Sequence, residues 1–280
     1  MACLLILEGP IKLFGHRLFF LLSFCTCYSV SAQIPERIVS TNLCTDQMLL
    51  LLAKPETILS VSFLSFDPEE SPFYSLAKNY HPNRGKAEEI LTLNPDLILV
   101  GQYTDNNTQH LLRRLGFNVL EINEPLTFDA FISQYLDLGV ILNRQEVAER
   151  IGKLLRSRLD GMVGGGQKKL GNIAVFYSNG ALLRPRSLAA DVLTKLGFTV
   201  IRNNIFSVEE ILRSGADYIV RMVYRADSPV RGAGVLDHPI LLRYLDSKTI
   251  THVPQSWFTC SSPYLLDAME NILAVAAKRL

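Results

Sequence analysis

Cysteine, tryptophan and unbalanced charge are scarce in this chain, and each shortage removes a class of protein. Five cysteines and one tryptophan occur in 280 residues. Cys3, Cys25 and Cys27 lie in the first 32 residues, and the two that remain, Cys44 and Cys260, are too few for a disulfide-built scaffold. The net charge is +1, with no strongly basic or acidic block, which argues against a nucleic-acid partner, since such partners are met by a basic face. A charged fraction of 20% beside a hydrophobic fraction of 48% excludes wholesale disorder and is enough for one large domain or two ordinary ones. No phosphate-binding loop, Gly-x-Ser-x-Gly elbow or His-Glu-x-x-His pair occurs, so no residue is assigned a catalytic role and no enzyme activity is expected. His81, His110, His238 and His252 are scattered, which weighs against a site for a free metal ion, where several ligands must converge. Gly164-Gly165-Gly166 ends a helical pattern and precedes a strand, the reverse of the order a dinucleotide fingerprint needs.

Long apolar runs are confined to the start of the chain. Lys12, His16 and Arg17 precede an apolar stretch from Leu18 to Val30, and Val30-Ser31-Ala32 offers small residues where a signal peptidase reads. The pattern predicts a secretory signal over residues 1–32, cleaved after Ala32. The stretch is short for a membrane-spanning helix, although a retained anchor is the alternative. Cys25 and Cys27 follow Phe24 and Thr26, not the small residue that precedes a lipidated cysteine. Removing the leader removes Lys12, Arg17 and Glu8 and leaves 26 basic and 26 acidic residues.

The remainder alternates strands and helices, breaks off, and resumes. Strands are predicted at Arg37–Thr41, Thr57–Ser62, Leu97–Gly101 and Asn118–Ile122, with helices at Thr45–Ala53, Ala87–Leu93 and Thr108–Leu115. This reads as an α/β fold with a mainly parallel sheet, a Rossmann-like first lobe over residues 33–126. From Thr127 to Met162 there is no strand signal, and residues 127–166 are assigned to the connection between the lobes. Asn143 to Glu146 resembles a capping box, and Val147, Ile151, Leu154, Leu155, Leu159 and Met162 follow at helical spacing, predicting a long, rigid connecting helix of roughly 28 Å. A second Rossmann-like lobe, residues 167–280, then shows strands at Ile173–Tyr177, Thr199–Ile201 and Tyr218–Arg221. Its helices fall at Leu188–Leu196, Val208–Arg213, Leu236–Leu245 and Pro263–Leu280. Residues 87–100, AEEILTLNPDLILV, echo residues 208–221, VEEILRSGADYIVR, as expected of two lobes of one design.

Ligands of open α/β sheets bind outside the carboxyl ends of the strands. That rule selects Asn42, Cys44, Phe63, Lys86, Gln102 and Tyr103 in the first lobe, and Tyr177, Asn179, Arg221, Tyr224 with Arg225, and Trp257 in the second. Recurring aromatics and arginines suit a large, partly apolar ligand with anionic or amide edges. Trp257, in a Pro-, Ser- and Thr-rich loop, is the leading candidate. Cys44 and Cys260 fall in predicted cleft loops of different lobes. A bridge between them would tie the lobes together; free thiols beside a ligand are the alternative.

The lobe–helix–lobe plan and the repeated Glu-Glu-Ile-Leu segments resemble the periplasmic binding proteins for cobalamin, ferric siderophores and haem. The likeness spans about Arg37 to Leu280, and Glu88-Glu89-Ile90-Leu91-Thr92-Leu93-Asn94-Pro95-Asp96-Leu97 is its most specific part. It is closest to the cobalamin-binding members, although Asn42 to Gln47 departs from the Pro-containing turn of some of them. The resemblance implies a monomeric periplasmic component of an ABC importer. It would carry a corrinoid or iron-siderophore chelate as cargo, hold no cofactor of its own, and have the transmembrane permease as partner. Haem, a free metal ion, or an enzyme component of paired Rossmann-like lobes are the alternatives. It also implies that one acid per lobe, here Glu88 and Glu209, docks on the importer. Two carboxylates at the starts of equivalent helices could report lobe spacing to a two-fold partner. The helix dipole alone also favours acids there. The long helix implies small lobe closure.

Overall fold

Ile38-Val39-Ser40 and Leu97-Ile98-Leu99-Val100-Gly101 are apolar on both sides of the pleat, the pattern of strands covered on both faces. In the computed structural model they become β1 (Ile38–Ser40) and β4 (Leu97–Gly101), paired in parallel with Ile38 opposite Leu97. With β2 (Ile58–Ser62), β3 (His81–Asn83) and β5 (Val119–Ile122) they form a parallel sheet of order β3-β2-β1-β4-β5. Between them run α1 (Leu43–Leu52), the single turn α2 (Tyr74–Ala77), α3 (Ala87–Thr92) and α4 (Asn106–Arg114). The structure describes residues 33–164, 169–201, 207–224, 238–240, 243–244 and 249–277. The predicted leader, Gly165, Gly166, Arg225, most of the predicted helix over 236–245 and residues 278–280 lie outside them.

The connection differs from the expected single helix. Two helices, α5 (Phe128–Ile141) and α6 (Gln145–Val163), pack against each other, and only α6 matches the predicted element. Asn143 adopts φ +53°, so it ends α5 in the left-handed region instead of capping α6. The residue at the N-cap of α6 is Arg144, without a side-chain cap, so the expected capping box is absent. Asn is tolerated at positive φ, and the chain uses Asn143 for the reversal that a capping role would forgo. A Cβ on Gly139 would come within 2.5 Å of the Ala148 Cβ, so glycine lets α5 and α6 approach closely.

The second sheet, all parallel, has the order β7-β6-β8-β9, with β6 (Gly171–Phe176), β7 (Phe198–Val200), β8 (Tyr218–Val223) and β9 (Thr249–Pro254). Strands β3 and β9 are additions to the predicted set. Helices α7 (Leu188–Lys195), α8 (Val208–Arg213), the short α9 (Ser256–Thr259) and α10 (Tyr264–Ala277) accompany it. Among the described residues no helix is long and apolar enough to cross a membrane.

One hydrophobic core runs through both halves. It joins Ile38, Leu49 and Leu99 of the first sheet and its cover to Phe131, Tyr135 and Leu155 of α5 and α6, and these to Val175, Leu193 and Ile272 of the second half. Each such side chain, fully buried, contributes about 1.5–3 kcal/mol. Arg158 of α6 adds ion pairs to Asp267 and Glu270 of α10 at 3.3 and 2.9 Å. The halves therefore share a core instead of being linked by a bare rod.

Candidate functional site

In the first sheet the chain runs from β1 to β2 and β3 on one side, then crosses back to place β4 and β5 on the other side of β1. The gap between the carboxyl ends of β1 and β4 is the point where an open α/β sheet takes a ligand. Asn42 follows β1 there. Its side chain accepts the Cys44 N–H at 2.9 Å and so caps α1. Gly101, the last residue of β4, lies against that carboxamide: a Cβ on Gly101 would stand 2.6 Å from the Asn42 Cγ. Below, Asp46 is fully buried and accepts the Ser62 N–H at 2.9 Å and the Ser65 hydroxyl at 2.7 Å. Burial pushes its carboxyl up to about 7, against the opposing pull of these hydrogen bonds.

Above this floor is a shallow, open cavity with about 30 Å³ of enclosed space. The first half supplies Asn42, Cys44 and Met48 from the β1 side, and Gly101, Gln102 and Tyr103 from the end of β4. Ile122, Asn123, Glu124 and Pro125 follow β5, and Gln134 reaches in from α5. The second half supplies Thr259 and Ser261. Glu124 is the one charged residue of this lining among the described residues. It accepts Gln102 Nε2 at 3.1 Å and Arg184 Nη2, from the chain beyond β6, at 2.7 Å. The lining is otherwise carboxamides, hydroxyls and apolar groups. No group of three His, Cys, Asp or Glu able to hold a metal ion occurs among the described residues.

Cys44 and Cys260, 216 positions apart in sequence, form a disulfide beside the cavity. Of the two alternatives left by the sequence, the structure has the bridge. Beside it, on the β2 side of the cleft, the segment after β2 leans on the second half. Phe73 packs edge-on against Tyr264 with centroids 5.3 Å apart, and Tyr264 lies 6.0 Å from Trp257. The Tyr224 hydroxyl donates to Glu70 at 2.8 Å.

The expected ligand residues are therefore divided. Asn42, Cys44, Gln102 and Tyr103 line the cavity, with Tyr103 72% exposed at its mouth. Tyr177 is half-buried next to Arg184, and burial raises its phenol above the ordinary range. Trp257 packs on the common core and beside Tyr264 instead of lining the cavity. Tyr224 is held by Glu70. Phe63 is exposed beneath the Arg84 guanidinium at 4.9 Å, and Lys86 is exposed at the N-cap of α3. Asn179 closes an exposed turn by accepting the Ala181 N–H at 3.0 Å. Arg221 sits half-buried in β8 opposite His252 of β9. Sequence reasoning missed Asn123, Glu124, Gln134, Arg184, Thr259 and Ser261. The loop after β5 obeys the same carboxyl-end rule and could have been found by it; Arg184 and Gln134 could not, because only the folded chain brings them there.

The profile of the periplasmic binding proteins matches residues 38–242, most of the chain. The chain belongs to that family. A comparison of the sequence with curated proteins gives no significant match. Solved structures similar to this periplasmic binding protein include a periplasmic haem-binding protein from Pseudomonas aeruginosa, with 19% identity, TM-score 0.67, and 88% of this chain and 92% of that one covered. The vitamin B12-binding protein BtuF of Vibrio cholerae has 19% identity and TM-score 0.65 over 87% and 97%. An ABC-type Fe3+-hydroxamate transport system protein from Saccharomonospora viridis has 19% identity and TM-score 0.64 over 86% and 93%. At these identities the likeness is one of fold.

Two further acids stand out on the surface of this periplasmic binding protein. Glu88 and Glu209 are exposed at the second position of α3 and of α8, the two copies of the repeated segment. Their neighbours are engaged locally. Glu89 accepts the Arg84 N–H at 2.6 Å, and Glu210 accepts the Ser207 N–H at 3.0 Å in a capping box. The Glu209 carboxyl lies below the usual range, because backbone N–H and the Ser207 hydroxyl bond its charged form.

Proposed function

We propose that this periplasmic binding protein is the solute-binding component of an ABC importer, and that it captures a corrinoid or ferric-siderophore chelate in the cavity between its halves. The observation that carries this reading is the placement of the cavity. It opens at the β1/β4 switch point, is walled by both halves, and has a lining of carboxamides and hydroxyls around apolar groups. The enclosed space is small, about 30 Å³, so only an edge of a large chelate enters it and the remainder lies against the rim where Tyr103 is exposed. The disulfide and the Phe73–Tyr264 contact favour a preformed cleft with small closure, which reduces the ordering cost of capture.

Export to the periplasm through residues 1–32, a monomeric state, and docking on the permease through Glu88 and Glu209 complete the proposal. The exposure of these two acids, beside neighbours used for capping, supports the last point. A visible absorption spectrum of the protein purified from its native host tests the cargo. A corrinoid or ferric-chelate spectrum supports the reading, whereas a haem spectrum, with its intense Soret band, overturns it in favour of haem.

A further inference from the structure

The cavity holds one charged group among its described lining residues, and the structure places that group's counter-ion on the opposite half. Glu124, in the loop after β5, has its side chain 23% exposed. Arg184, from the second half, is 56% exposed and donates to the Glu124 carboxylate at 2.7 Å. Gln102 donates to the same oxygen, Oε2, at 3.1 Å. We propose that Glu124 selects cargo by charge, with Arg184 as its switchable partner. The assignment rests on the reading that this cavity receives the cargo.

The two side chains differ in their freedom to move. Glu124 is mostly enclosed and held from its own half by Gln102. Arg184 is mostly in water and on a long side chain, so a pair of this kind is weak and exchangeable at the arginine end. While the pair is made, the cavity is neutral and edged by carboxamides and hydroxyls. A neutral chelate edged with carboxamides meets complementary donors and acceptors there. A chelate edged with carboxylates or catecholates brings a like charge against Glu124 and must draw Arg184 away from it. A like charge in a partly enclosed site is a repulsive element, and such elements discriminate between ligands of similar shape. Arg184 lies close to Tyr177 as well as to Glu124, so it has a second resting place when the pair opens.

The test is a double-mutant cycle on the full mature protein, with cyanocobalamin as the neutral, carboxamide-edged probe and haemin as the carboxylate-edged one. Dissociation constants are measured for the wild type, Glu124→Gln, Arg184→Gln and the double variant. Wild-type protein is expected to bind cyanocobalamin in preference to haemin. Glu124→Gln frees Arg184 for the anionic edge and is expected to shift the ratio of the two affinities toward haemin by about tenfold or more. The double variant, with no free cation, is expected to lose that gain, which a merely structural role for Glu124 would not produce. An unchanged ratio in Glu124→Gln, with cyanocobalamin still bound, overturns the charge-selection assignment and leaves the cargo reading standing. Tighter haemin than cyanocobalamin binding in the wild type, weakened by Arg184→Gln, makes Arg184 a cargo ligand and overturns the assignment. Binding of neither probe by any variant overturns the corrinoid reading and the assignment with it.

Discussion

Cys44, in the first turn of α1, and Cys260, just after α9, are covalently joined beside the cavity, although they lie 216 positions apart in sequence. The bridge closes most of the chain into one loop, and such a crosslink stabilises chiefly by restricting the unfolded state. Reduction, or the pair Cys44→Ser and Cys260→Ser, is expected to cost about 2–5 kcal/mol in chemical denaturation. Thiol titration of the denatured, unreduced mature protein should find no free thiol.

Asp46 supplies a pH dependence. Burial pushes its carboxyl up to about 7 in the folded chain, from an ordinary 3.8 when unfolded. The folded state therefore holds a proton that the unfolded state releases between these values. The stability from this group is present in full below about pH 4 and is lost as pH rises through 7. Asp46→Asn removes the titration. Relative to the wild type, the variant should gain roughly 4 kcal/mol on going from about pH 4 to about pH 8. Denaturation curves at the two pH values check this; a constant difference would mean that Asp46 is charged throughout.

Gly101 and Asn42 should behave as a coupled pair. A methyl group at 101 has no room beside the Asn42 carboxamide, which is both the α1 cap and part of the cavity wall. Gly101→Ala is expected to cost about 1–3 kcal/mol. Asn42→Ala costs about 1 kcal/mol for the lost cap, and in its background the glycine substitution should cost less than in the wild type. Thermal or urea denaturation of the four proteins measures the coupling.

The proposal divides the four acids at the starts of α3 and α8 between docking and capping. Glu88→Lys with Glu209→Lys should abolish cargo import while leaving cargo affinity intact, at a stability cost of about 1–2 kcal/mol from placing two cations at helix N-termini. Ser207→Ala should cost about 1 kcal/mol through the lost capping box, with import retained once the protein is folded. Uptake assays alongside binding measurements distinguish the two; a parallel loss of cargo affinity in the double reversal would place these acids in the cargo site.

Much of the architecture was readable in the sequence because parallel strands buried on both faces are short apolar runs. Leu97–Gly101 and Tyr218–Val223 announce themselves this way. β3 does not, since His81-Pro82-Asn83 is a polar edge strand whose partner is β2 alone. The reversal at Asn143 was hidden because asparagine suits both a helix cap and a left-handed turn, and only packing of α5 on α6 decides between them. The cavity was half legible. Asn42, Cys44, Gln102 and Tyr103 follow from strand ends, but Arg184 enters through a contact between distant segments. Trp257 illustrates the converse: its polar neighbours suggested a loop, but they form the short helix α9, which sets the large aromatic against the core and beside Tyr264.

The central claim is that a cargo chelate binds at the β1/β4 switch point. Calorimetric titration of the mature protein and of Gln102→Ala with cyanocobalamin and with a ferric hydroxamate tests it most directly. One chelate should bind with one-to-one stoichiometry, and Gln102→Ala should weaken it by about tenfold, the worth of one good hydrogen bond. Failure of both chelates to bind, or binding that Gln102→Ala leaves untouched, would contradict it.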